Sequence, residues 1–182
     1  MFCFIVNGKA YFCSCNKDMD MEERRISIHE ALPILREVLN MSGFTKLMGK
    51  SVSWFSNKEE ERSPKFVTTV GFSDANIVLI NESLNRIADE CDTHRLSFPA
   101  EGVSWKEHSL YVSKELKELR KLISFVYLRE KHTSISKQSF GRKLRGDVVG
   151  NYTCQFTEAD IMQINEGLKS IADMLRSFKI TV

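Results

Sequence analysis

Apolar side chains return every three to four residues along two stretches of the chain, Ile77, Ile80, Leu84, Ile87 and Ile161, Ile164, Leu168, Ile171. This is the spacing of one buried helix face. Each stretch is announced by a residue able to cap a helix, Ser73 in the first and Thr157 in the second, whose hydroxyls accept hydrogen bonds from free first-turn amides. Asp160, three residues after Thr157, completes a capping box. The two stretches are nearly the same text: Phe72 to Cys91 and Phe156 to Leu175 are identical at ten of twenty positions, at a constant offset of 84. Self-similarity at that level marks an internal duplication.

The periodicity extends upstream in both copies. Ile28, Leu32, Leu35, Val38 and Leu39 keep helical spacing, and so do Leu110, Val112, Leu116, Leu119, Leu122 and Ile123. Leu32, Leu35 and Arg36 stand 84 residues before Leu116, Leu119 and Arg120, so the duplication covers more than its clearest block. The pattern therefore predicts a mainly all-α protein with a first unit over 19–91, a linker over 92–108 and a second unit over 109–182. Pro99 and Gly102 interrupt helical periodicity in the linker. Units of that size bury modest cores, which predicts that they pack against each other.

Residues 1–18 differ in texture. The short apolar runs MFCFIV and AYFCSC flank Asn7-Gly8, a favourable two-residue hairpin turn. The segment reads either as a small β-hairpin or as a dispensable leader, because Met19 and Met21 offer later starts. Its apolar run is short for a signal peptide, and no run of eighteen apolar residues follows, so no membrane span is expected.

Composition narrows the function classes. The balance of 26 basic and 24 acidic residues leaves a net charge of +2, so any basic surface must be local. Cysteines 3, 13, 15, 91 and 154 are odd in number and clustered at the start, unlike a secreted disulfide framework, which points to a cytoplasmic protein. Cys3, Cys13 and Cys15 have no neighbouring histidine and make no convincing metal site. Cys91 aligns with Leu175, the pattern of a small core residue. His29, His94, His108 and His132 share no triad spacing with a carboxylate or cysteine, and no glycine loop suits a phosphate. No enzyme signature and no cofactor are expected.

The chemistry lies between the first and last helices of each unit. From Tyr127 to Gly146 the chain reads YLREKHTSISKQSFGRKLRG, and from Gly43 to Arg62 it reads GFTKLMGKSVSWFSNKEEER. Phe55 to Lys58 align with Phe140 to Lys143 at an offset of 85, as if one loop residue were inserted. Each copy reads as a short helix, a turn of small residues and a second helix. This pattern resembles the helix-turn-helix of repressor-like DNA-binding proteins. The resemblance implies that Ser136 caps a recognition helix, that Phe140 and Leu144 face inward, and that Lys137, Gln138, Ser139, Arg142 and Lys143 are exposed. The counterparts in the first unit are Ser51, Ser53, Asn57 and Lys58. It further implies double-stranded DNA as the partner, with a helix in the major groove and flanking basic groups on phosphates.

Charge supports the second unit independently. Lys137, Arg142, Lys143 and Arg145 fall within ten residues that contain no acid, a local +4 that a phosphate backbone rewards through counterion release. Gln138 has the chemistry to pair with adenine and Arg142 with guanine. The first unit departs from this, with Glu59, Glu60 and Glu61 near Lys58, and Val52 and Trp54 where the second unit has Lys137 and Ser139. It reads as a poorer DNA binder, or as a surface for a protein partner or self-association through Val52 and Trp54.

Plainer readings stand beside these. SFGRKLRG also reads as a solvated helix end, with basic residues at the negative pole of the dipole and Gly146 as cap. Phe55 reads as core. The recurring pairs Asn81-Glu82 and Asn165-Glu166 point about 100° apart on a helix and read as helix surface or as hydrogen bonds between units. The expectation is a sequence-specific DNA-binding transcriptional regulator, and the alternative is a helical protein interaction module without DNA binding.

Overall fold

The computed structural model describes residues 3–6, 9–12, 24–60 and 71–182. Among the described residues the chain is mainly helical, with eight helices and a few short strands. β1 (Cys3–Val6) and β2 (Lys9–Phe12) form an antiparallel hairpin, the first of the two readings of the leader. Its Asn7-Gly8 turn lies outside the described residues, as do Cys13 and Cys15. β3 (Arg24–Ser27) leads into α1 (Ile28–Val38), α2 (Met41–Leu47), α3 (Val52–Glu59) and the long α4 (Asp74–Thr93). The series continues with α5 (Trp105–Leu119), α6 (Phe125–His132), α7 (Lys137–Arg145) and the long α8 (Glu158–Ser177), with the hairpin β4 (Val148–Val149) and β5 (Tyr152–Thr153) between α7 and α8. The chain closes on β6 (Phe178–Thr181), which pairs in parallel with β3.

Local chemistry explains these boundaries. Ser73 and Thr157 both cap their helices in capping boxes, with Asn76 and Asp160 returning the bond. Ser104 and Glu107 form another such box. α5 accordingly begins at Trp105, inside the stretch that periodicity assigns to the linker, and Leu110 falls on its outer face rather than in the core. The single-residue offset change between copies sits ahead of α7: the caps Asn40 and Ser124 keep the offset of 84, whereas Ser51 and Ser136 are 85 apart.

The core is continuous. α4 and α8 pack on each other along their lengths, burying Ile80, Leu84, Ile87 and Ala88 against the stripe Ile164, Leu168, Ile171 and Ala172. Cys91 is fully buried beside them, and burial pushes its thiol pKa up to about 12. Both Gly167 and Gly43 mark close approaches. A Cβ on Gly167 would lie 2.6 Å from His132 Cβ, where α6 crosses α8, and one on Gly43 would lie 1.6 Å from the Lys121 carbonyl oxygen.

Residues linked by the 84-residue offset also meet in space. Leu39 and Ile123 form an antiparallel bridge, with the Asn40 amide donating to Leu122 O (2.9 Å) and the Ser124 amide donating to Val38 O (2.8 Å). The recurring asparagines act the same way. The Asn81 side chain donates to Ile180 O (3.0 Å) and accepts from Ile180 N (3.1 Å); Asn165 does the same with Leu96 (2.7 and 2.8 Å). Leu96 and Ile180 are themselves 84 apart. Each amide thus mimics a strand edge for a segment from the other half of the chain, Asn81 for β6 and Asn165 for the stretch after α4, while Glu82 and Glu166 remain on the surface. Arg176 closes the crossing of α4 and α8 through Asp89 (2.8 Å) and Asp92 (2.7 Å).

Candidate nucleic-acid interface

α7 is short, and its position is set from below. Phe140 and Leu144 are buried, and the Phe140 ring meets Phe125 of α6 and Phe156 ahead of α8 edge-on, at 5.8 Å in each case. Ser136 caps the helix by accepting from the Ser139 amide (3.2 Å). The turn before it is held to α8, where Gln163 Oε1 accepts from the Ser134 amide (2.7 Å) and hydroxyl (3.1 Å). Gly146 ends the helix in the left-handed conformation, its φ of 70° tolerated because it lacks a side chain.

The basic residues divide into two groups. Lys137 and Gln138 are exposed, and Lys137 and half-buried Arg142 have no ion-pair partner among the described residues. Lys143, expected on the outer face, is turned inward: its ammonium pairs with Asp160, and both side chains are largely buried. The same Asp160 Oδ2 accepts from the Thr157 amide (2.7 Å) and hydroxyl (2.8 Å), so one carboxylate caps α8 and anchors α7. Arg145 is exposed but holds Asp147 through paired contacts at 2.6 and 3.1 Å. Its guanidinium keeps the Asp147 carboxyl below the usual carboxylate range. The local +4 of the sequence therefore meets two carboxylates in space.

Other cations, which local motif reading passes over, join this region. Arg120 at the end of α5 and Arg129 on α6 line a groove of about 360 Å³ together with Lys137, Gly141 and Arg145. Across α5 to α7, residues 105–146 carry eleven basic and four acidic side chains, a net +7 on a chain whose total is +2. The signal was present in the sequence as a regional imbalance, diluted by the helix register that spreads it over three elements.

The corresponding region of the first half is neutral, with four basic and four acidic residues over 28–60. Ser51 caps α3 by accepting from the Trp54 amide (3.0 Å) and bonds Ser53 (3.0 Å). Ser53 and Asn57 are exposed and Lys58 is half-buried. Glu59 is engaged by Arg36 of α1, whose Nε and Nη2 donate to its two carboxylate oxygens; Glu61 lies outside the described residues. Phe55 is buried against Phe44 and Phe72 (5.8 and 5.3 Å between rings). Trp54, read from sequence as an interface residue, instead leans on Phe72 edge-on at 6.4 Å, with the Lys50 ammonium 5.4 Å from its ring centre. Val52 remains exposed.

Among the described residues no group of histidines, cysteines and carboxylates is arranged to hold a metal, and no helix is long and apolar enough to cross a membrane. Comparison with known proteins finds no matching family model, no matching curated protein and no matching solved structure.

Proposed function

We propose that the chain binds double-stranded DNA through its second half and acts as a sequence-specific transcriptional regulator in the cytoplasm. The observation that carries this reading is the excess of basic side chains on α5 to α7, a net +7 over residues 105–146 before Asp160 and Asp147 take up Lys143 and Arg145, around a short, well-anchored helix. Lys137 and Arg142 are the two cations of α7 left without carboxylate partners among the described residues. They suit phosphate and guanine contacts, with Gln138 beside them for adenine. Lys143 serves as an anchor for the helix, and Arg145 must leave Asp147 to reach a phosphate. In the first half, the neutral α1 to α3 region offers phosphate little attraction.

Duplex binding measured by fluorescence anisotropy across a salt series tests the proposal. Replacing Lys137 and Arg142 with alanine should weaken binding and reduce the salt slope by roughly one unit per lost phosphate contact. An unchanged slope would sink the reading. The second reading, a protein interaction module, draws support from the hairpin after α7, whose Val149 and Tyr152 are exposed to solvent along with Val52 on α3. It gains if Tyr152→Ser abolishes capture of a partner while duplex affinity is nil.

A further inference from the structure

At the C-terminal end of α7, the face of α5 and the root of the β4–β5 hairpin enclose a groove of about 380 Å³, within the range typical of small-molecule sites. Its walls are Leu110, Leu144 and Val148, and its rim carries Lys106, Lys114, Lys117 and Arg145. Leu110 is 68% exposed and Val148 67%, an unusual outlay of apolar surface beside so many cations. One carboxylate, Glu118, stands at this rim, and it is taken up by Lys121, which also holds its pKa below the usual carboxylate range. At the groove, Ser109 of α5 is buried and its hydroxyl has no hydrogen-bond partner among the described residues. Buried hydroxyls without partners are uncommon in folded proteins, and this one lies sealed beneath the groove floor.

We infer that this groove binds a small organic anion with an apolar body: a ring or alkyl portion against Leu110, Leu144 and Val148, and a carboxylate, sulfonate or phosphate between the rim lysines. The three lysine side chains offer donors to several anionic oxygens, and Arg145 adds its own on leaving Asp147; the apolar walls exclude a bare inorganic ion as the best fit. Helical spacing puts Lys106, Leu110, Lys114 and Lys117 on one face of α5, so one rigid element supplies three of the four cations and one of the three apolar walls, with Leu144 of α7 and Val148 of β4 completing them. The site is separate from the outer face of α7 and does not depend on DNA binding. It shares Arg145 with the flank of α7, which gives an occupant a route to that side chain.

The test uses 8-anilinonaphthalene-1-sulfonate as probe and its uncharged analogue N-phenyl-1-naphthylamine as control, titrated by fluorescence against the full chain. The expected result is saturable one-to-one binding of the sulfonate, with the neutral analogue clearly weaker. In the Lys114→Ala, Lys117→Ala double variant, whose replaced side chains are exposed, Kd should rise about tenfold or more, the loss expected on removing two charge-assisted contacts. Leu110→Glu should abolish binding, and Lys169→Ala, on the surface of α8, should leave it unchanged. An unaltered Kd in the double variant, or equal affinity for the neutral analogue, would overturn the assignment. Neither outcome bears on the salt slope of duplex binding, so the two proposals fail separately.

Discussion

At the scale of single residues, the most consequential side chain is Asp160, which is asked to satisfy the first turn of α8 and the ammonium of Lys143 together. Its loss removes a cap and leaves a largely buried cation unpaired, whereas loss of Lys143 leaves Asp160 with its Thr157 partners. Asp160→Ala is therefore expected to cost about 2–3 kcal/mol and Lys143→Ala about 1 kcal/mol, measured by urea unfolding. Equal costs would mean that the cap contributes nothing of its own. The resemblance to a helix-turn-helix implies an exposed Lys143, and a motif of that length assigns a face only approximately. The burial of a lysine depends on whether a distant carboxylate is brought beneath it, and Asp160 belongs to the next helix.

Elements are specified with differing clarity. α4 and α8 were legible because long amphipathic stripes and capping hydroxyls agree, with Asp160 as the partner of Thr157, while the matching partner Asn76 of Ser73 emerged only in the structure. The start of α5 was not, since Trp105 to His108 lack an apolar stripe and the deciding signal was the cap formed by Ser104 and Glu107. β3 and β6 escaped for a related reason: four-residue strands carry little periodicity, and their pairing joins residues 24–27 to 178–181 across nearly the whole chain. The cationic surface was half legible, as a cluster on α7, while its extension over α5 and α6 needed the fold. At the crossing of α6 and α8, propensity and packing disagree at Gly167. Alanine favours a helix by about 1 kcal/mol, yet its methyl group would meet His132 Cβ and, at 2.7 Å, Leu128 Cδ1. Gly167→Ala should lower stability by about 1–3 kcal/mol through forced displacement of α6, visible as a reduced midpoint in thermal unfolding. A rise in the midpoint would show that α6 gives way freely.

For the molecule as a whole, the decisive contacts join residues far apart in sequence. Leu96 is held by Asn165, Ile180 by Asn81, and β3 by β6. The exposed segment around Ala100 and Glu101 is consequently dispensable as a tether once folding is complete. With a protease site inserted there, the cleaved protein should elute as one particle at its uncut size and unfold in a single transition, checked by gel filtration and calorimetry. Two separate transitions would show that the halves stand alone.

The reciprocal bonding between residues 84 apart has a consequence for what each half is free to become. In an assembly of two identical chains, a substitution that makes one face basic makes its twin basic as well. Carrying both halves in one polypeptide removes that constraint while keeping the shared seam, so α5 to α7 carry seven net charges and the stretch 84 residues earlier carries none. The molecule thereby has a head and a tail. For the proposed binding to DNA it follows that an inverted repeat holds no advantage, and the preferred site is one that reads differently in its two directions.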